Sequence, residues 1–159
     1  MSLSVRPATP ADAALILGFI RDLAEYEKLA HEAVATEPDI FAALFVGNPR
    51  AFCDIAEADG EPVGIALWFY NFSTFTGRHG IWLEDLFVQP QARGKGAGKA
   101  LLANLARRCV AEGLTRLEWS VLDWNTPSIT FYDSLGAAAM DEWTTRRLSG
   151  DALARLGAA

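Results

Sequence analysis

Residues 93–99 read Arg-Gly-Lys-Gly-Ala-Gly-Lys, three glycines and three cations in seven positions. They lie between a run that reads as a strand, from about Gly80 to Val88, and one that reads as a helix, from about Gly98 to Glu112. A turn this rich in glycine lets backbone amides crowd a ligand. The unpaired N–H groups of the helix start, helped by the dipole, attract an anion such as phosphate. A strand–turn–helix unit of this kind places the chain among proteins that mix helices with a sheet.

Two phosphate motifs fail at this turn. A P-loop ending at Gly98-Lys99 needs Gly where Arg93 stands and Ser or Thr where Ala100 stands. A G-x-G-x-x-G fingerprint meets Lys99 or Leu101 where its third glycine belongs.

Elements can be read on both sides. Residues 3–8 read as a strand. Thr9-Pro10-Ala11-Asp12 opens a helix whose apolar face is Leu15, Ile16, Phe19, Ile20, Leu23 and Tyr26. Thr36-Glu37-Pro38-Asp39 opens a second helix, which ends near Gly47-Asn48-Pro49. Strands over 51–58 and 62–72 flank a hairpin turn at Asp59-Gly60. The run Val63 to Tyr70 is apolar on both faces and so belongs in the middle of a sheet. After the glycine turn come a strand over 115–122, a short helix over 126–135 and a last strand over 137–148. The order β-α-α-β-β-β-α-β-α-β predicts one α/β (α+β) domain over residues 1–159, with a mixed central sheet flanked by helices.

Charge narrows the partners. Fourteen Lys and Arg against twenty Asp and Glu leave −6 at pH 7, which argues against nucleic acid and for a cationic or neutral small molecule. Cys53 and Cys109 are too few and too far apart for a disulfide framework or a metal motif, and only His31 and His79 could add ligands. No metal, no membrane span and a cytoplasmic location are therefore expected.

The pattern R-x-x-G-x-G at Arg93, Gly96 and Gly98, following Trp82-Leu83-Glu84-Asp85-Leu86-Phe87-Val88, resembles the acyl-CoA turn of the GNAT N-acetyltransferase superfamily. Trp124 to Tyr132 is similar to that family's later helix, and Arg6-Pro7-Ala8-Thr9 with Asp12 to its start. Tyr26-Glu27, the W-L-E-D-L-F-V strand and W-N-x-P-S-I-x-F-Y together resemble the spermidine/spermine (diamine) branch. The resemblance implies acetyl-CoA as co-substrate, a small amine acceptor and a homodimer. It implies that Leu86, Phe87 and Val88 line the pantetheine arm, and that Arg93, Gly94, Lys95, Gly96, Ala97, Gly98 and Lys99 hold the pyrophosphate. Asn125 and Ser128 would touch the coenzyme. Lys95 and Lys99 replace apolar and small residues of the diamine enzymes, a change that backbone binding tolerates.

Acetyl transfer to an amine has two proton demands. A lysine-like amine has a pKa of about 10.4, so freeing it at pH 7 costs about 4–5 kcal/mol, and the departing thiolate needs a proton. Strand alternation puts Trp82, Glu84, Leu86 and Val88 on one face and Leu83, Asp85 and Phe87 on the other. Glu84 is then expected to be buried among apolar neighbours with a raised pKa, either as base or as half of an ion pair, and not paired with Asp85. Tyr132 reads from composition as the edge of an amphipathic core. The resemblance makes it the acid that protonates the thiolate. Tyr26, Glu27, Glu84 and Glu142 match or neighbour acceptor positions, although Tyr26 also continues a core stripe. The aromatic segment Trp68 to Phe75 either walls the acceptor or faces a second subunit. Acetylation of an amino acid, antibiotic or protein amine, and a non-catalytic acyl-CoA-binding module, are the alternatives.

Overall fold

A computed structural model describes residues 1–159, which fall into two compact units, Met1–Ser120 and Val121–Ala159. The first unit holds a five-stranded sheet in the order β1-β2-β3-β4-β5: β1 Leu3–Pro7, β2 Phe52–Ala58, β3 Glu61–Ser73, β4 Arg78–Val88 and β5 Leu117–Glu118. The first four strands run antiparallel to their neighbours, and β5 runs parallel to β4. Helices α1 (Ala13–Tyr26), α2 (Glu37–Phe45) and α3 (Ala97–Glu112) belong to the same unit.

The two faces of the sheet are covered by different helices. Ile16 and Phe19 of α1 and Ile40 and Leu44 of α2 pack on Cys53, Ile55, Ile65 and Phe87. The other face meets α3, where Asn104 reaches Asp54 and the Arg108 guanidinium lies over the Trp68 ring. Ile55, Ile65, Ile81, Leu101 and Leu105 are fully buried, each worth about 1.5–3 kcal/mol of apolar transfer.

Polar groups fix the way in. Arg6 on β1 grips Asp12 with Nη1 and Nη2 at 2.8 and 3.1 Å, and its Nε reaches Glu57 at 2.6 Å. Asp12 also accepts the Thr9 amide at 2.7 Å, completing a capping box ahead of α1. The Arg6 hydrogen bonds hold the Asp12 carboxyl down to about 2. Thr36 and Asp39 cap α2 in the same reciprocal way. Between β3 and β4, a Cβ on Gly64 would stand 2.4 Å from the Phe87 carbonyl oxygen, so only glycine lets the two strands pair here.

The second unit contains α4 (Thr126–Ser134) and α5 (Gly150–Gly157). Two sequence expectations fail near here. The strand expected over 115–122 shrinks to Leu117–Glu118, and 137–148 forms no strand. Ala137-Ala138-Ala139 is a poor strand former, and almost every side chain from 138 to 150 is exposed, so no buried face offsets the cost of ordering an extended segment. A helix stands after it instead, with Ser149 at its N-cap position, Asp151 in its first turn and Arg155 in its last. The α/β class and the mixed sheet are as the sequence implied, with α5 in place of the last strand. No helix is long and apolar enough to cross a membrane.

Candidate active site

Strand β4 does not alternate cleanly. Leu67 of β3 lies opposite Asp85 and the next residue, Trp68, lies opposite Leu83, so Glu84 is the extra residue of a β-bulge. The bulge changes which side chains share a face. Trp82, Asp85 and Phe87 stand opposite Phe69, Leu67 and Ile65, on the side of the sheet that α1 and α2 cover. Glu84 joins them, accepting the Trp82 indole N–H at 3.0 Å.

Two expectations are corrected here. Glu84 is exposed, not buried among apolar neighbours, because the bulge lifts it out of the ladder. Asp85, expected on the opposite face, is the half-buried carboxylate beside it. Burial, reinforced by the charges of Glu84 and Glu27, pushes the Asp85 carboxyl up to about 6. Glu27 caps the C-terminal end of α1, and burial raises its carboxyl as well. Three acidic groups, Glu27, Glu84 and Asp85, thus share one neighbourhood and repel one another, an arrangement that a bound cation relieves.

Tyr26, the last residue of α1, is half-buried beside this acidic group in sequence and carries the Arg93 guanidinium 4.8 Å over its ring. Arg93 also lies 5.6 Å from the Phe87 ring centroid and donates from Nε to the Val88 carbonyl at 2.8 Å. Its side chain, expected in the phosphate cradle, is therefore turned toward α1 and the end of β4, because two ring faces and a carbonyl satisfy it there.

The cradle itself is backbone. Gly94 and Gly96 take φ of +74° and +93°, and Gly96 is the N-cap of α3 with no side-chain cap. The first helical bond beyond the turn runs from Ala100 N–H to the Gly96 carbonyl. The amides of Ala97, Gly98 and Lys99 have no carbonyl one turn back, and they point out of the helix start with exposed Lys95 and Lys99 close in sequence. That donor set fits a pyrophosphate. Alongside it, β5 pairs with β4 only at Ile81 and Trp82, so within this unit the backbone of Leu86, Phe87 and Val88 has no strand on the β5 side.

The second unit presents the other expected residues. Asn125 is buried at the N-cap of α4, where its side chain accepts the Ser128 amide at 3.4 Å. Tyr132 is half-buried on α4 with its ring 5.6 Å from Phe131. Glu142 is exposed in the irregular segment that precedes α5. Sequence reasoning passed over Asp85 and Trp82. The adjacent acids of Glu84-Asp85 were the visible signal, and strict alternation hid it.

Residues 19–137 match the acetyltransferase (GNAT) family. The chain belongs to the GNAT acetyltransferase family. Among its GNAT relatives, a thialysine N-epsilon-acetyltransferase from Sus scrofa is 37% identical, with 98% of this chain and 97% of that protein covered. An L-ornithine N5-acetyltransferase from Arabidopsis thaliana is 31% identical, covering 94% of this chain and 85% of that protein. An integron cassette protein from the mobile metagenome of V. cholerae has the same GNAT fold, with a TM-score of 0.83, 26% identity, and 100% and 99% of the two chains covered. GNAT enzymes use acetyl-CoA, and this chain is an N-acetyltransferase of that family.

Proposed function

We propose that residues 1–159 work as one domain that transfers acetyl from acetyl-CoA to the terminal primary amine of a small cationic acceptor, a lysine-like amino acid or a diamine. The observation that carries this reading is the acidic group Glu27, Glu84 and Asp85 beside the open edge of β4 and the glycine cradle. The family match supports a single domain, since it runs from 19 to 137 across the boundary between the two units. The relatives' names, thialysine and ornithine, support an acceptor with an amine at the end of a short chain.

Each residue has a part in this scheme. The amides of the 94–99 turn take the pyrophosphate, with Lys95 and Lys99 adding charge. Arg93 holds the turn against β4 and Tyr26. The backbone of Leu86, Phe87 and Val88 lines the pantetheine arm, and Asn125 and Ser128 contribute from α4. Asp85 and Glu27 attract the ammonium, and the Tyr26 face and Glu142 help to seat it. Glu84, the exposed member of the acidic group, takes the proton from the amine, directly or through water. The amine nitrogen then bonds to the thioester carbonyl carbon and the C–S bond breaks. The sulfur leaves with the electron pair and takes a proton from the Tyr132 hydroxyl, and the second proton released by the nitrogen passes through solvent to restore that hydroxyl. A homodimer in the cytoplasm is part of the same proposal.

An amine panel with acetyl-CoA, followed by thiol release, tests it. Turnover with thialysine, lysine, ornithine and short diamines is expected, and none with the ω-blocked amino acids or with diamines blocked at both ends. Coenzyme binding without thiol release on any amine would make the chain a non-catalytic acyl-CoA module instead.

A further inference from the structure

A pocket of about 190 Å³ opens where β1 ends and β2 begins, away from the acidic group on β4. Pro7, Ala8, Leu44, Phe45 and Phe52 supply its apolar wall. Its polar end is Asp54 and Arg108, and these meet across Trp68. Asp54 and Trp68 face α3, whereas Asp85 lies across from Leu67 on the face that α1 covers.

The polar end is built and incomplete. Asp54 is 97% buried by its 3% relative exposure, and accepts the Trp68 indole N–H at 3.0 Å and the Asn104 amide at 3.3 Å. Both bonds fall on Oδ2, and Asp54 lines the pocket. Arg108 gives Nη1 to Glu112 at 3.4 Å, and Glu112 also accepts the Tyr70 hydroxyl at 2.7 Å. Arg108 Nε is buried with no acceptor, and its partner would be an oxygen on the fork edge that grips carboxylates. The buried atom left without a partner is thus a donor on Arg108, and the Asp54 carboxylate, of opposite sign, lines the same pocket as Arg108.

We propose that this pocket binds a free α-amino acid with a small apolar side chain, as a site separate from acetyl transfer. The ammonium goes to Asp54 Oδ1 and the rings of Phe52 and Tyr70. The carboxylate goes to Arg108 after a modest swing of the guanidinium off Trp68. The side chain goes to Leu44, Phe45 and Phe52. Size agrees, since a dry cavity of about 150 Å³ takes benzene. Charge agrees as well. Asp54, Glu112 and Arg108 sum to one negative charge, which an added monoanion would double, while a bare amine would leave Nε without an acceptor. A zwitterion meets both groups and leaves the sum unchanged.

The Trp68 indole N–H, bonded to Asp54, reports on this pocket in a ¹⁵N spectrum of the full chain, assigned through bonds without any substitution. L-leucine, which has no ω-amine, should shift that resonance saturably. 3-Methylbutylamine, lacking the carboxylate, and 4-methylpentanoate, lacking the ammonium, should each need at least ten times the concentration. Arg108→Gln should weaken the leucine response at least tenfold while leaving the acetylation rate unchanged. No shift with leucine, an equal response to either analogue, or an unchanged response in Arg108→Gln would each overturn the proposal.

Discussion

Replacing Asp85 with asparagine removes the most strained charge of the acidic group. The Asp85 carboxyl stands at about 6 against an ordinary value of 3.8. At 1.36 kcal/mol for each tenfold change, that displacement amounts to about 3 kcal/mol at most. Glu84 is exposed, so solvent and salt screen its share, and about 1–3 kcal/mol is the expected effect. The sign follows from the direction. Below about pH 4 the carboxyl is protonated in both folded and unfolded chains, and Asp85 costs the fold little. Above about pH 6 it is ionised in both, and only the folded chain bears the burial and repulsion. Asp85→Asn should therefore raise unfolding free energy by about 1–3 kcal/mol at pH 7.5 and by well under 1 kcal/mol at pH 4. Urea titrations at the two pH values, with an unchanged slope, measure this. The same variant should raise KM for a diamine, since the cation loses a partner. Equal or lower stability at pH 7.5 would refute the reasoning, because it would mean that Asp85 is not held at a cost.

Three further substitutions address other parts of the scheme. Glu84→Gln should move the pH–rate profile toward higher pH, where free amine is abundant, and lower the rate at pH 7 on the order of 10²-fold; an unmoved profile would remove it as base. Tyr132→Phe should lower kcat on the order of 10²-fold while calorimetric acetyl-CoA affinity stays the same; unchanged turnover would remove it from proton delivery. Gly64→Ala should lower the unfolding free energy measured in urea by about 1–3 kcal/mol, since its Cβ would meet the Phe87 carbonyl at 2.4 Å; an unchanged free energy would show that β4 moves aside freely.

Most of the fold could be read because its signals are local. Thr36 with Asp39 and Thr9 with Asp12 marked helix starts, and the structure closes both as reciprocal caps. Asp59-Gly60 marked the hairpin, and the glycine turn marked the start of α3. The candidate site was legible as a set of residues, less so as a geometry. A bulge depends on two strands pairing out of step, and nothing in Trp82 to Val88 alone reveals it. That is why Glu84 was expected inside and Asp85 on the far face. The strand expected over 137–148 failed for a related reason. Trp143-Thr144-Thr145-Arg146-Arg147 has the composition of a strand, but alternation cannot say whether an edge exists to receive it.

The extra residue at Glu84 divides β4 into two phases. Upstream, odd-numbered side chains such as Ile81 and Leu83 anchor one half of the protein interior, and downstream the odd-numbered Asp85 and Phe87 serve the other half. Deleting Glu84 would leave a smoother ribbon with Asp85 and Phe87 still on the side that α1 covers, and the exposed carboxylate would be gone. A gap at this point would thus spare the interior and strip the site of one acid, which makes the insertion a device for setting a carboxylate outside the ladder.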